Sequence, residues 1–326
     1  MSVGLNTTTA GAKAGTATIG YVSDGEGTSG LGLTTLGSQV VNVSGNVYRY
    51  AEPSVPEVVD FGIVHVGDVV SRTPAIANIA IADGFSEGLD VAVSGITGGF
   101  YASGSVENLA AGASSSGITV GFDTSTVGIR SGVLTLDLAS NGGGTSGLGI
   151  TTLPSSEVPT TAQVNYYAAP ELVLVSGAAS LTAISATEYV LDFGTINVTS
   201  GEQFAEFDIA NVLLSSLYQD MLGGGFDTSG VTHFALTGFE SFAGVQAGAV
   251  AGTFGVSFTP TSNGAYHDLL TIDLTSSNLS GTYGLSSITV NITAAAVPEP
   301  QEWGTILAGM LAVMAVLRRR AQPARR

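Results

Sequence analysis

The sequence predicts an all-β protein of tandem antiparallel β-sandwiches followed by one C-terminal hydrophobic helix. Three observations carry this prediction. The body repeats itself, apolar residues inside the repeats alternate with period two, and the long apolar run stands at the C-terminal end.

Sliding the sequence by 117 positions aligns residues 3–53 with 120–170 without a gap, and 24 of those 51 positions are identical. The best-matched stretch is T-S-G-L-G-L-T-T-L at 28–36 against T-S-G-L-G-I-T-T-L at 145–153. A third copy has diverged further. Its L-D-F-G-T-I-N-V at 191–198 matches V-D-F-G-I-V-H-V at 59–66, and I-A-N at 209–211 matches I-A-N at 76–78. Later, V-S-F-T-P-T-S-N-G at 256–264 matches V-G-F-D-T-S-T-V-G at 120–128. Tandem duplication accounts for this order: the back half of a repeat at 1–55, a full repeat at 56–170, a second at 171–296, and a tail at 297–326. Pro53, Pro56 and Pro170 punctuate the early boundaries.

The repeats read as strands. Leu134, Leu136 and Leu138 fall on one face of V-L-T-L-D-L, with Val133, Thr135 and Asp137 on the other. Ala17, Ile19 and Tyr21 take the matching face in the first copy, and Leu270, Ile272 and Leu274 in the last. Alternation bounded by turn residues marks half-buried antiparallel strands, and many short strands per repeat mark a sandwich. Before the tail, only 212–221 suggests a short helix.

Composition narrows the function. The chain has 326 residues, 45 glycines, no cysteine and a formal net charge of −17. Cysteine nucleophiles, disulfides and Cys-based metal sites are therefore excluded. Before Pro298 the basic residues are Lys13, Arg49, Arg72 and Arg130, set against 24 acids. Such a body repels phosphate backbones, so nucleic acid is not a partner.

The tail reads V-P-E-P-Q-E-W-G-T-I-L-A-G-M-L-A-V-M-A-V-L-R-R-R from Val297. Pro298, Glu299 and Pro300 are expected as an extended, accessible motif. The run over 303–317, with Trp303, Leu307, Leu311, Val316 and Leu317, is expected as a membrane segment. As a helix its 15 residues extend about 22 Å, short of the roughly 30 Å hydrocarbon core, with snorkelling arginines and Trp303 to cover the difference. Arg318, Arg319 and Arg320 are expected as a stop-transfer cluster that keeps the C-terminus cytoplasmic.

This three-part tail resembles the PEP-CTERM sorting signal. The resemblance implies recognition by an exosortase at the inner membrane of a Gram-negative type bacterium, export to the cell surface, and a biofilm or exopolysaccharide setting. The D-F-G strand, the I-A-N strand, the V-x-F segment and the following L-T-L-D-L strand resemble choice-of-anchor D repeats. Those repeats are related to the immunoglobulin-like ASH domains, so the resemblance implies immunoglobulin-like sandwiches. The glycine-, serine- and threonine-rich segments 24–36, 141–153 and 276–287 are longer than that family's usual hairpins. Met1 falls in mid-repeat with no signal peptide before it, so the native start is expected upstream.

No catalytic constellation is evident, and the expectation is a non-enzymatic structural or adhesive protein without cofactors. His65 is expected at a surface or edge and His233 as an ordinary strand residue. His267 beside Asp268 is the pair that invites a triad, but no nucleophile elbow accompanies it. The two D-F-G tripeptides lack a kinase's other motifs, and their phenylalanines are expected as core anchors with glycine turns. Asp24 with Glu26 is the nearest approach to a calcium site. The alternative function is a carbohydrate-binding module, for which Tyr48, Tyr50, Tyr166 and Tyr167 are the candidate platform. Exopolysaccharide and other surface proteins are the expected partners beyond the exosortase.

Overall fold

The computed structural model describes residues 2–298 and the helix over 300–320, with side chains in that helix from Gly304 to Arg318. It divides into two compact units, Met1–Gln163 and Val164–Arg326.

The first unit begins with β1 (Gly11–Ser23) and β2 (Thr34–Val47), an antiparallel pair forming a two-stranded sheet of its own. Then follow β3 (Pro53–Ser54), β4 (Val59–His65), β5 (Ser71–Arg72), β6 (Ile76–Asn78), β7 (Gly88–Ile96) and β8 (Phe100–Leu109). β9 (Ser114–Ser115), β10 (Ile118–Phe122), β11 (Gly128–Asn141) and β12 (Ile150–Asn165) complete the set. One sheet has the order β4-β12-β11-β7-β8-β10-β5, and a second, short one has the order β3-β6-β9. β8 joins two stretches of the larger sheet. Its first half pairs with β10 up to Gly104, and its second half pairs with β7 from Ser105. Gly104 sits at the changeover with φ +98°, where an added Cβ would lie 2.1 Å from the Gly117 carbonyl oxygen. Only glycine fits there.

The second unit contains β13 (Pro170–Gly177), β14 (Ser180–Ser185), β15 (Glu188–Asn197), β16 (Gln203–Asn211) and β17 (Met221–Asp227). It continues with β18 (Ala235–Thr237), β19 (Phe242–Val245), β20 (Val250–Phe258), β21 (Gly264–Asn278), β22 (Gly281–Gly284) and β23 (Ile288–Val297). One sheet is β13-β16-β20-β18, and the other is β14-β15-β23-β21-β17-β19 with β22 on β21. In the lettering of immunoglobulin strands, the first is A-B-E-D and the second contains G-F-C. β15 runs parallel to β23, so the unit's early and final strands are neighbours. The chain is thus all-β, with immunoglobulin-like sandwich units and one C-terminal helix, α1 (Pro300–Arg320).

The alternation predicted on β11 and β21 is present, whereas in the first copy Ala17 and Ile19 are half-buried and Tyr21 is exposed. Leu134, Leu136 and Leu138 are buried in the first unit, and Leu270, Ile272 and Leu274 in the second. Phenylalanines fill the space between layers. Phe61 meets Phe122 edge-on at 5.0 Å, and Phe226 and Phe254 lie 4.9 Å apart in the second core. Such ring pairs add to area burial by about 0.5–1.5 kcal/mol each.

The suggested helix at 212–221 does not form. The Gln219 side chain holds that segment as a loop, its Oε1 accepting from the Leu214 and Ser215 amides while its Nε2 donates to the Val212 carbonyl. A side chain that satisfies loop backbone groups removes the advantage of helical bonding.

Candidate functional site

Each D-F-G tripeptide builds the same corner. Phe61 and Phe193 are buried, and Gly62 and Gly194 are left-handed at φ +69° and +68°. Asp60 accepts from the Gly62 amide at 3.0 Å and from Thr161 Oγ1 at 2.8 Å, while Asp192 accepts from the Gly194 amide at 2.9 Å and Thr293 Oγ1 at 2.9 Å. The Gly62 amide, the Thr161 hydroxyl and Arg72 hold the Asp60 carboxyl below its ordinary range. These aspartates tie the D-F-G strand of each unit to its last strand, β4 to β12 and β15 to β23. Their role is structural.

The I-A-N motif builds a second repeated device. Asn78 Nδ2 donates to the carbonyls of Glu87 and Leu109, and Asn211 Nδ2 donates to those of Asp220 and Val245, each at 3.0 Å. Next to each asparagine lies a buried acid. Glu87 accepts from Ser140 Oγ at 2.7 Å and from Ser146. Asp220 accepts from Ser276 Oγ at 2.9 Å, Asn165 Nδ2 at 2.9 Å and both-handedly from Asn278 Nδ2. Ser140 and Ser276 in turn accept from the backbone amides of Ala51 and Ala168. Sequence reasoning passed over both acids. A usable signal was present, since each stands nine residues after its asparagine (87 − 78 and 220 − 211).

The histidines depart from expectation in three ways. His65 is fully buried, not at a surface, because it opens the tight turn at the end of β4; its amide donates to Asp68 Oδ2 at 2.8 Å. His267 is exposed and faces Asn291, away from Asp268, as adjacent strand residues must. The partner of Asp268 is His233, which lies in a bend before β18. Its Nδ1 is 2.7 Å from Asp268 Oδ1, and the amides of Thr232 and His233 donate to Oδ2 at 2.6 Å. Burial pushes the Asp268 carboxyl up, but the His233 amide and ring and the Thr232 amide outweigh it and hold the carboxyl below its usual range. The neighbouring Thr232 Oγ1 donates to the same carboxylate at 3.2 Å. The arrangement pins a bend to a strand.

A pH dependence follows. A carboxyl whose folded pKa is lowered contributes stability that is complete above its unfolded value near ~4 and is lost as pH falls through the folded value. The melting temperature is expected to hold from neutrality to about pH 5 and to fall below about pH 4. Asp268→Asn should lower it at neutral pH and converge with the parent in strong acid. Parallel curves at all pH values would contradict this assignment.

The glycine-rich turns present leucines to solvent. Leu31, Leu148 and Leu279 stand at the tips with 70%, 79% and 98% exposure. Asp24 Oδ1 accepts from the Glu26 amide, forming a turn, and no group of three or more possible metal ligands occurs among the described residues. Tyr48 packs on Phe85 at 5.6 Å and Tyr167 on Tyr283 at 6.0 Å, whereas Tyr50 is 60% exposed.

At the C-terminus, Pro298 follows β23 directly, Glu299 lies outside the described residues, and Pro300 opens α1. Proline is well placed in a first helical turn, where its missing amide has no partner to lose, so the motif is not wholly extended as expected. Trp303, Leu307, Leu311, Val316, Leu317, Arg318, Arg319 and Arg320 all fall within the helix; the side chains of Trp303, Arg319 and Arg320 lie outside those described. Residues 304–318 are exposed throughout. No helix of the described residues is long and apolar enough to cross a membrane. The expected transmembrane segment is corrected accordingly: its apolar stretch is too short, and arginines occupy the helix's last turn.

No family profile matches the chain, and no curated protein matches it. Among solved structures, the chain is similar to the ASH/PapD-like domain of human CEP192 at 8% identity, with 41% of this chain and 88% of that one covered and a TM-score of 0.24. It is similar to the human desmocollin-1 ectodomain at 9% identity, covering 80% and 45%, with a TM-score of 0.30. The adhesive subunit CfaE of enterotoxigenic Escherichia coli CFA/I fimbria gives 11% identity, 77% and 85% coverage, and a TM-score of 0.23.

Proposed function

We propose that this chain is a non-enzymatic exported surface protein whose sandwich units serve as a stalk, spacer or adhesive and whose tail is a PEP-CTERM-type sorting signal. The observation supporting this reading is the placement of the tail. β23 ends at Val297, and the helix that follows leaves Ile306, Leu307, Met310, Leu311, Val313, Met314, Val316 and Leu317 more than half exposed. A helix with apolar side chains open to solvent calls for an apolar partner. In this reading that partner is an inner-membrane exosortase. Pro298, Glu299 and Pro300 form the recognised motif, and Arg318, Arg319 and Arg320 form the basic end of the signal. The buried acids and the His233–Asp268 contact support the non-enzymatic part, because their polar contacts hold backbone segments together. The repeats serve as choice-of-anchor D-like modules in an exopolysaccharide or biofilm setting of a Gram-negative type bacterium.

Mass spectrometry of the protein recovered from the surface of an exosortase-bearing host tests the reading. The mature C-terminus is expected near the Pro-Glu-Pro motif, with the helix and arginines gone. The triple variant Pro298→Ala, Glu299→Ala, Pro300→Ala should retain the tail. Surface protein that keeps Arg326 intact would sink the proposal.

A further inference from the structure

The sequence contains two Asn-Gly pairs, Asn141-Gly142 and Asn263-Gly264, and the fold treats them in opposite ways. Asparagine before glycine is where a chain can react with itself. Glycine has no side chain to keep its amide nitrogen away from the carbonyl carbon of the preceding asparagine side chain. The outcome then depends on how firmly the pair is held.

Asn141 is held at the groups the reaction needs. Its Nδ2 donates to Asp90 Oδ2 at 2.8 Å, and its Oδ1 accepts from the Gly143 amide at 2.8 Å. The Gly142 amide donates to the Gly149 carbonyl at 2.8 Å. Gly142 is also crowded, since an added Cβ would lie 2.3 Å from Ser146 Oγ and 3.1 Å from the Gly149 carbonyl oxygen. Asn263 is the reverse case. It is exposed in the bend between β20 and β21, and no hydrogen bond holds its side chain among the described residues. Gly264 is the first residue of β21, opposite Ala296, and nothing lies within 4 Å of where its Cβ would be. A strand end opens more readily than its middle. The bend itself does not require asparagine: the matching pair of the first unit is Val127-Gly128, with both glycines at positive φ, +123° for Gly128 and +152° for Gly264.

We propose that Asn263 is a self-modification site, at which the Gly264 nitrogen displaces the side-chain amide, and that its hydrogen bonds keep Asn141 from the same reaction. The Gly264 nitrogen gives its proton to solvent and bonds to Asn263 Cγ. The Cγ–Nδ2 bond breaks, and Nδ2 takes up a proton and leaves as ammonia. Water then adds to either carbonyl of the resulting five-membered imide and reopens it, to aspartate or to isoaspartate. The sum is one amide and one water converted to one carboxylate and one ammonium ion, with no oxidant or reductant. The product places a negative charge at the entry of β21. In the isoaspartyl form one more carbon enters the main chain just after Ser262, whose carbonyl accepts from the Tyr266 hydroxyl at 2.8 Å. The inference depends neither on how the tail is used nor on a surface role.

Peptide mapping of the full chain, held at mildly alkaline pH where hydroxide removes the amide proton, tests the proposal. Cleavage after Phe258 and Tyr266 isolates the pair at 263. That peptide should gain the mass difference between amide and acid and split into aspartyl and isoaspartyl forms. Its conversion should run at least about tenfold faster than that of the peptide carrying Asn141. In urea strong enough to unfold the chain the two rates should converge, because both asparagines precede glycine. Asn263→Gln should abolish the change, since the longer side chain would have to close a larger ring. Equal rates in the folded chain, or faster conversion at Asn141, overturn the proposal. So does an Asn263 that stays intact in the folded chain over the time in which the unfolded chain converts.

Discussion

Asp220→Ala is expected to destabilise the second unit by about 3–5 kcal/mol, enough to remove much of a typical domain's stability. The residue is 1% exposed, and its carboxyl receives donors from Asn165, Ser276 and Asn278. Alanine removes one acceptor group and takes a hydrogen bond from each of three side chains, each loss costing about 1–3 kcal/mol, offset in part by relaxation. Ser276 also anchors the Ala168 amide, so the loss spreads to the entry of β13. Asp220→Asn should cost less, because one oxygen still accepts, but its amide then faces the Asn165 and Asn278 donors. Hydrogen exchange resolved on β17 and β21 measures the effect unit by unit, avoiding a single two-state fit to a chain with two compact units. Equal exchange in parent and variant would show that the acid holds nothing.

Leu136→Ala and Ile19→Ala are expected to diverge sharply although they change equivalent positions of the duplicated hairpin. Leu136 is 1% exposed between β7 and β12 in the first core, and its truncation should cost about 2–5 kcal/mol through lost burial and the cavity left behind. Ile19 lies on the free hairpin, half-buried, opposite Gln39. Its truncation should change the stability of the first sandwich by less than about 0.5 kcal/mol. Urea unfolding of the two variants side by side decides the matter, and similar costs would mean that the hairpin is part of that core.

Much of the architecture was legible because its signals are local. The period-two leucines of β11 and β21, the buried phenylalanines of the two D-F-G corners and their left-handed glycines each follow from a few adjacent residues. The long-range pairings were not legible. Asp268 is next to His267 in sequence but bonded to His233, 35 positions away, because neighbouring strand residues point to opposite faces. His65 is buried by a turn that its repeat counterpart Asn197 makes with an exposed side chain. The acids of the I-A-N devices left a repeated nine-residue spacing, but buried acids are rare enough to escape a search that expects carboxylates in water. In the tail, Pro300 starts a helix where proline spacing alone suggested extension.

The parallel pairing of β15 with β23 has a mechanical consequence. Eight residue pairs join them, from Glu188 with Thr289 to Asn197 with Val297, and the C-terminal segment continues from the last of these. Suppose the C-terminus is held while the chain is pulled from the N-terminal side. Tension then acts along the two strands in opposite senses, and their hydrogen bonds are loaded together as a lap joint instead of being peeled one by one. Resistance to such a load scales with the number of bonds that must yield at once. The second unit therefore couples an early strand to its final strand along the axis on which a tethered chain would be stretched.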